Sequence, residues 1–460
     1  MKKKLVSILL SAAMATAMLA GCGSGSSTES ASTAESAPAE SAAAETTAET
    51  TVETTEETAA ATEAATEEAA ADPASVTGEF TYWSYTDSAN NLVNEFNKIY
   101  PNVKIDLQIF GGDEYKTKIL TALQSGTDVP DVFDLEENYM YEFLDSDLIA
   151  DLSYINIEDL TADYYEFQKA QMKDSNGNYK AMIFQSSPVA IWYLRDACEE
   201  WLGTSDPDEI AAMFPDWDSI IAKGEEIYEA SGGTVHLWPN IAEMVKVEAF
   251  SFEPLVRDGV LNISDDWMNM IESMRTMYAS NANAELGSWS SEWAAAWNEG
   301  TLLFRIMPSW DYFTDWDANA GNVGVAVPFK TSYEGATGTC VYNNSENKEA
   351  AGVFLTYLAS SEFQTVNMES YNQVPASKTV TDTLAESFTA EDFGGQNTLA
   401  IYSQICDKIE GITPDKYTRA SQNLFQNAAT NGIKEGKDNN AIIEDFKSEL
   451  HDQYPEIVME

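Results

Sequence analysis

From residue 80 onward, apolar positions either alternate with polar ones or recur at helical spacing, in a regular succession. Phe80-Thr81-Tyr82-Trp83 predicts a first strand. Leu92, Val93, Phe96 and Ile99 share one helix face, and Pro101 stops that helix. Val103, Ile105, Leu107 and Ile109 alternate, as on a strand with one buried face. Tyr115, Ile119, Leu120 and Leu123 predict a second helix closed near Gly126, and Val132-Phe133-Asp134-Leu135 a third strand. This β-α-β-α-β run predicts a parallel α/β lobe. Further on, Thr234-Val235-His236-Leu237 and residues 302–307 predict strands. Trp289, Trp293 and Trp297 fall on one face of a helix that begins at Trp289.

The first 78 residues follow other rules. Lys2, Lys3 and Lys4 precede an apolar stretch from Leu5 to Ala20, too short for a comfortable membrane span. It ends in Leu19-Ala20-Gly21-Cys22, which matches the site at which lipoprotein signals are cut. The expectation is a signal peptide over 1–21, a diacylglyceryl group on the Cys22 thiol, and attachment to the outer face of a membrane. Residues 23–78 are almost entirely Ala, Thr, Ser, Glu and Gly, with no aromatic residue and no Lys or Arg. Such a stretch buries too little apolar surface to offset chain entropy, and its like charges repel. Residues 22–78 are therefore expected to be a disordered acidic tether.

Composition narrows the remainder. The chain has 460 residues, and those from Glu79 onward suffice for two lobes with separate cores. The net charge is −51; three lysines and twelve acidic residues precede Glu79, which leaves −42 on the folded part. Phosphates would be repelled, so nucleic acid is excluded as a partner. With Cys22 lipidated, Cys198, Cys340 and Cys406 remain, an odd and widely spaced set that fits neither a disulfide framework nor a zinc site. His236 and His451 are the only histidines, too few for triad or metal chemistry. Residues 174–178 look superficially like a calcium loop, but the glycine is misplaced, and a hairpin turn is expected. No catalytic residue, metal or cofactor is assigned.

Several stretches resemble one family in order. Trp83, residues 96–101, residues 115–126 and Pro130-Asp131-Val132-Phe133 resemble the opening of the extracellular solute-binding proteins of sugar ABC importers, which include the maltose-binding protein. The resemblance continues through Asn178-Tyr179-Lys180-Ala181-Met182, Trp192-Tyr193-Leu194-Arg195-Asp196 and Pro215-Asp216-Trp217. It extends through Trp297-Asn298-Glu299-Gly300, residues 304–310, residues 324–329, residues 348–358 and Val374-Pro375-Ala376. Leu303-Phe304-Arg305-Ile306-Met307, Ser309 and Ile183-Phe184 depart from the family pattern. The resemblance implies a periplasmic-binding-protein-like fold: two α/β lobes, a hinge of two or three crossings, and a ligand cleft between the lobes. It places residues 79–187 plus 338–372 in one lobe and 188–337 plus 373–460 in the other. It also implies capture of a carbohydrate, an oligosaccharide in particular, for the membrane permease subunits of an ABC importer, by a monomer.

Candidate ligand contacts follow from that cleft. An indole offers a flat, polarisable partner to the C–H face of a sugar ring. Trp83, Trp238 and Trp310 stand just past strand ends, where open α/β lobes bind ligands. Trp192 lies at the lobe crossover, and Trp289 at a helix start. Glu136 and Asp311 follow strands and suit sugar hydroxyls, since a carboxylate accepts several charge-assisted hydrogen bonds. Tyr85 lies in the loop after Trp83. Trp293 and Trp297 are expected in the core. A surface glycoside hydrolase is the alternative from another class, because paired carboxylates are plentiful, although no local motif marks a nucleophile or acid. The same fold holding a peptide, polyamine or other non-sugar solute is a further alternative.

Overall fold

The computed structural model describes residues 72–311 and 316–459. The expected signal peptide, Cys22 and most of the tether lie outside the described residues. The tether's last residues do take up structure. Asp72 Oδ1 accepts the Ala74 N–H at 3.0 Å and caps a 3-10 turn, Pro73–Ser75. Asn102 Nδ2 then donates to Ala74 O at 2.7 Å.

The first sheet begins with β1 (Gly78–Ser84), β2 (Val103–Ile109) and β3 (Val132–Glu136). Helices α1 (Ala89–Ile99) and α2 (Gly112–Ser125) connect them, and α3 (Glu137–Leu144) follows β3. The predicted stops hold: α1 ends at Tyr100 ahead of Pro101, and α2 at Gly126, whose φ of 64° suits a residue without Cβ. Both β2 and β3 run parallel to β1. The sheet is not wholly parallel, however. It is completed by β4 (Ala181–Met182) and by a strand from far along the chain, Thr337–Val341, antiparallel to both β3 and β4.

The second lobe carries β5 (Val189–Leu194), a small hairpin of β6 (Val256–Arg257) and β7 (Val260–Leu261), then β8 (Phe304–Pro308) and β9 (Val323–Ala326). β5 lies between β8 and β9, antiparallel to both. The late strand of the first sheet is β10 (Thr337–Val341), which gives the order β2-β1-β3-β10-β4. Residues 234–237 form no strand of this sheet; His236 only bridges Leu302, and Trp238 only bridges Asn283. Residues 234–237 still run beside the start of β8, with Leu303 N donating to His236 O at 3.0 Å and Phe304 N to Leu237 O at 3.2 Å.

Two separate cores confirm two α/β lobes. One gathers Phe80, Tyr82, Phe96, Phe133 and Phe354; the other gathers Tyr193, Phe214, Trp238, Trp267, Phe304 and Phe425. Three chain segments cross between the lobes, around residues 183–188, 327–336 and 372–377. They are bonded side by side. Val189 N donates to Ser332 O at 2.9 Å, Glu334 N to Ser187 O at 3.0 Å, and Ser186 N to Val374 O at 2.7 Å.

Candidate functional site

The carboxyl ends of β1 and β3 form the first wall. Strand alternation turns Tyr82 and Ser84 to one face of β1, where both hydroxyls donate to Asp134 Oδ2, at 2.7 and 2.6 Å. Thr339 Oγ1 donates to Asp134 Oδ1 at 2.8 Å. Burial pushes the Asp134 carboxyl up to about 6, against the pull of its three hydroxyl donors. Asp134 lines a cavity of about 210 Å³ together with Thr86, Asn91, Gln185, Thr337 and Asn367. At the rim, the strand register pairs Glu136 with Thr337, and the Tyr85 hydroxyl is hydrogen-bonded to Thr337 Oγ1. Glu136 accepts from Asn138 Nδ2 at 2.6 Å. Tyr85 is half-buried, and desolvation pushes its phenol well above the usual range, so it is neutral and fit to share hydrogen bonds.

The second lobe carries an aromatic layer. Trp293 and Trp297 project from the helix Ser291–Asn298 and are buried. The Arg305 guanidinium lies over both rings, 3.5 Å from the Trp293 centroid and 4.5 Å from that of Trp297. Trp289 leads into this layer, with ring centroids 5.6 Å from Trp293. Its side chain is 50% exposed, the most exposed tryptophan described, and its φ is +69°. A left-handed bulky residue is strained, and such strain persists only where the surroundings impose it. Trp310 is half-buried in the turn after β8, and its Nε1 donates to Glu334 O at 2.8 Å on the middle crossing. Asp311 is nearly enclosed; its backbone N–H closes that turn on Pro308 O at 3.2 Å.

Residues 91–392 match the model of the bacterial extracellular solute-binding protein family. The chain belongs to this family. It is 22% identical over 405 residues to the arabinooligosaccharide-binding protein of Halalkalibacterium halodurans, covering 79% of this chain and 88% of that one. Among solved structures, a family 1 extracellular solute-binding protein superposes with a TM-score of 0.71 at 19% identity, covering 82% and 99% of the two chains. The galacto-N-biose-/lacto-N-biose I-binding protein of an ABC transporter from Bifidobacterium longum gives 0.67 at 17%, covering 84% and 99%. The family's members bind solutes outside the cytoplasm, and this solute-binding protein carries their fold.

Measured against this fold, the expected contacts divide. Tyr85 and Glu136 come together at the rim of the first lobe. Trp310 bonds the crossing at Glu334 directly, the Trp289 loop reaches it only through Glu243 and Lys246, and Asp311 adjoins Trp310. Trp289 stands outside the helix it was expected to start.

Three of the expected tryptophans are enclosed in side-chain packing. Alternation puts Trp83 on the face of β1 opposite Asp134, beneath α2, where Phe110 meets it edge-on at 5.3 Å and Lys118 Nζ lies 4.8 Å from its ring. Trp238 is 1% exposed in the second core; its Nε1 donates to Asn240 O at 2.9 Å, and Trp217 packs edge-on at 5.1 Å. Trp192 is enclosed against Phe393 at 5.2 Å, on the sheet face shared with Arg305. Trp293 and Trp297 are buried, as expected.

Sequence reasoning missed Asp134, Thr337 and Arg305. Asp134 had a signal: a carboxylate inside an otherwise apolar central strand needs partners. Among the described residues no group of three His, Cys, Asp or Glu side chains is placed to hold a metal. Asp174 Oδ1 accepts the N–H groups of Asn176 and Asn178, at 2.9 and 2.8 Å, in a hairpin turn rather than an ion loop.

Proposed function

We propose that this solute-binding protein captures a carbohydrate, an oligosaccharide, and hands it unchanged to the permease subunits of an ABC importer. The observation that carries this reading is the half-exposed Trp289 indole, held in a strained backbone conformation beside Trp293 and Arg305. A flat apolar face suits the C–H face of a sugar ring, while Tyr85, Thr337 and Glu136 suit its hydroxyls. The sugar-binding relatives in Halalkalibacterium and Bifidobacterium support the same ligand class. Residues 79–187 plus 338–372 would form one moving lobe and 188–337 plus 373–460 the other, with the three crossings as the hinge. The Leu19-Ala20-Gly21-Cys22 motif supports a lipid on Cys22 that holds the monomer at the outer membrane face.

Thermal shift across a panel of arabino-, galacto- and malto-oligosaccharides tests the ligand class, because a ligand that binds only the folded state raises its melting temperature. A clear rise with one oligosaccharide, followed by chromatography that recovers it intact, supports capture. Cleaved sugar would instead mark a hydrolase, and stabilisation only by peptides or polyamines would move the ligand to another class. Mass spectrometry of membrane-extracted protein, with Cys22→Ser as control, tests the anchor.

A further inference from the structure

The loop that presents Trp289 is pinned from below by a buried acid. Glu243 lies on the helix Ala242–Glu248, its side chain 3% exposed, and the Ser288 hydroxyl donates to Glu243 Oε1. Asn240 works from the same place. Its Oδ1 accepts the N–H groups of Ala242 and Glu243, while its Nδ2 donates to Leu286 O at 2.7 Å and to Ser288 Oγ at 3.3 Å. On the other side of Trp289, Ser290 Oγ accepts the Trp293 N–H at 3.1 Å and caps the helix Ser291–Asn298. Trp289 is therefore clamped between two fixed serines. Glu243 is itself anchored: Lys246 Nζ lies 3.5 Å from Glu243 Oε1 and 3.2 Å from Glu334 Oε2 on the middle crossing.

We propose that Glu243 is a positioning residue for ligand capture: through Ser288 it holds Trp289 in its left-handed, solvent-facing position, and through Lys246 it references that position to the crossing at Glu334. The inference rests on the reading of Trp289 as a carbohydrate contact. Burying an acid here is costly, since desolvation raises its proton affinity against the opposing charge of Lys246. The Lys246 ion pair offsets part of that cost and occupies the same oxygen that Ser288 meets.

The test uses the whole protein, the oligosaccharide found in the thermal-shift panel, and the variants Ser288→Ala, Glu243→Leu, Glu243→Gln and Trp289→Ala. Loss of one such hydrogen bond is expected to weaken binding by about fivefold to tenfold. Ser288→Ala and Glu243→Leu should each do so, and Glu243→Gln, which keeps an acceptor for Ser288, should recover most of the affinity. Neither change should weaken binding further once Trp289 is already Ala. Acrylamide quenching of Trp289, read as the difference from Trp289→Phe in each background, should change in Ser288→Ala without any sugar present. Because Ser288 is only partly buried and Ser→Ala is a small change, its variant keeps the test alive if Glu243→Leu does not fold. Unchanged quenching in Ser288→Ala overturns the positioning role, as does a loss of affinity that simply adds to that of Trp289→Ala. A native protein that binds no carbohydrate overturns the proposed function instead, and the quenching result still decides the role of Glu243.

Discussion

Arg419 and Glu137 join the two lobes directly, with Arg419 Nη2 2.5 Å and Nε 3.2 Å from Glu137 Oε1. Arg419 stands near the start of the helix Thr418–Lys434 in the second lobe, and Glu137 is the first residue of α3 in the other. The second oxygen of Glu137 accepts the Gly335 N–H at 2.9 Å, so the pair also grips the middle crossing. Both side chains are largely enclosed, at 15% and 3% exposure.

Removing one partner of an enclosed pair costs more than the pair contributes, because the other charge is left without compensation. Arg419→Met is therefore expected to destabilise the protein by about 3–5 kcal/mol. Adding Glu137→Gln should recover much of that loss. Urea denaturation of the native protein, both single variants and the double variant checks this. Losses that add without recovery would show that the two side chains act independently.

Asp134 gives a pH dependence with a definite sign. Its folded-state value of about 6 lies above the usual 3.8, chiefly through desolvation. A carboxyl raised in this way stabilises the fold most when protonated. The contribution is fully present below about pH 4 and is lost as the pH rises through about 6, on the order of 2–3 kcal/mol in all. Asp134→Asn should flatten the stability curve over that window. Chemical denaturation at pH steps from 4 to 7 tests it; identical slopes in the two proteins would rule the assignment out.

Trp289 and Trp297 separate binding from stability. Trp289→Gly relieves the left-handed backbone but gives up the half-buried ring's packing on Trp293, so stability should change by no more than about 1 kcal/mol while carbohydrate affinity falls at least about tenfold. Trp297→Ala opens the enclosed layer under Arg305 and should cost about 3–5 kcal/mol of stability. Calorimetric titration and thermal melts of both variants check the split. The reverse pattern would move the ligand face to the other side of the helix.

The first three strands and their helices were legible because each apolar period is local and each stop is a Pro or Gly with one backbone preference. The entry of β10 was not, because its pairing with β3 joins residues some two hundred positions apart, and no local period encodes direction. Trp238 was misread for a related reason. Following an apolar run places a residue at the end of a segment but does not say whether that segment joins the sheet, and this one meets only isolated bridges. The strained backbone of Trp289 left no trace either. Positive φ is announced in sequence by Gly or Asn, and here Glu243 and Asn240, remote in the chain, hold the neighbouring Ser288 and so the indole. Asp131 and Asp134 sit in one short apolar strand region, yet only the fold shows that Asp134 faces three hydroxyls.

Gly335 offers the sharpest test of the hinge. Its φ is +81°, and a Cβ built there would stand 2.8 Å from Trp310 Nε1, the atom that bonds Glu334 O. Gly335→Ala therefore meets two separate penalties. The left-handed backbone costs about 1–2 kcal/mol wherever the indole goes. The contact with Trp310 must also be relieved by moving the ring, which breaks its bond to the crossing and adds roughly 1 kcal/mol. Only the first penalty remains when Trp310 is already Ala. The destabilisation caused by Gly335→Ala should accordingly be smaller in the Trp310→Ala background than in the native protein. If Trp310 stacks on the sugar, Gly335→Ala should also weaken binding at least about fivefold, although residue 335 need not touch ligand. Denaturation of the four proteins and titration of the two that retain Trp310 decide the matter. An equal loss of stability in both backgrounds would mean that the indole does not rest on Gly335, and native affinity in Gly335→Ala would mean that its seat on the crossing is not what aims it at the ligand.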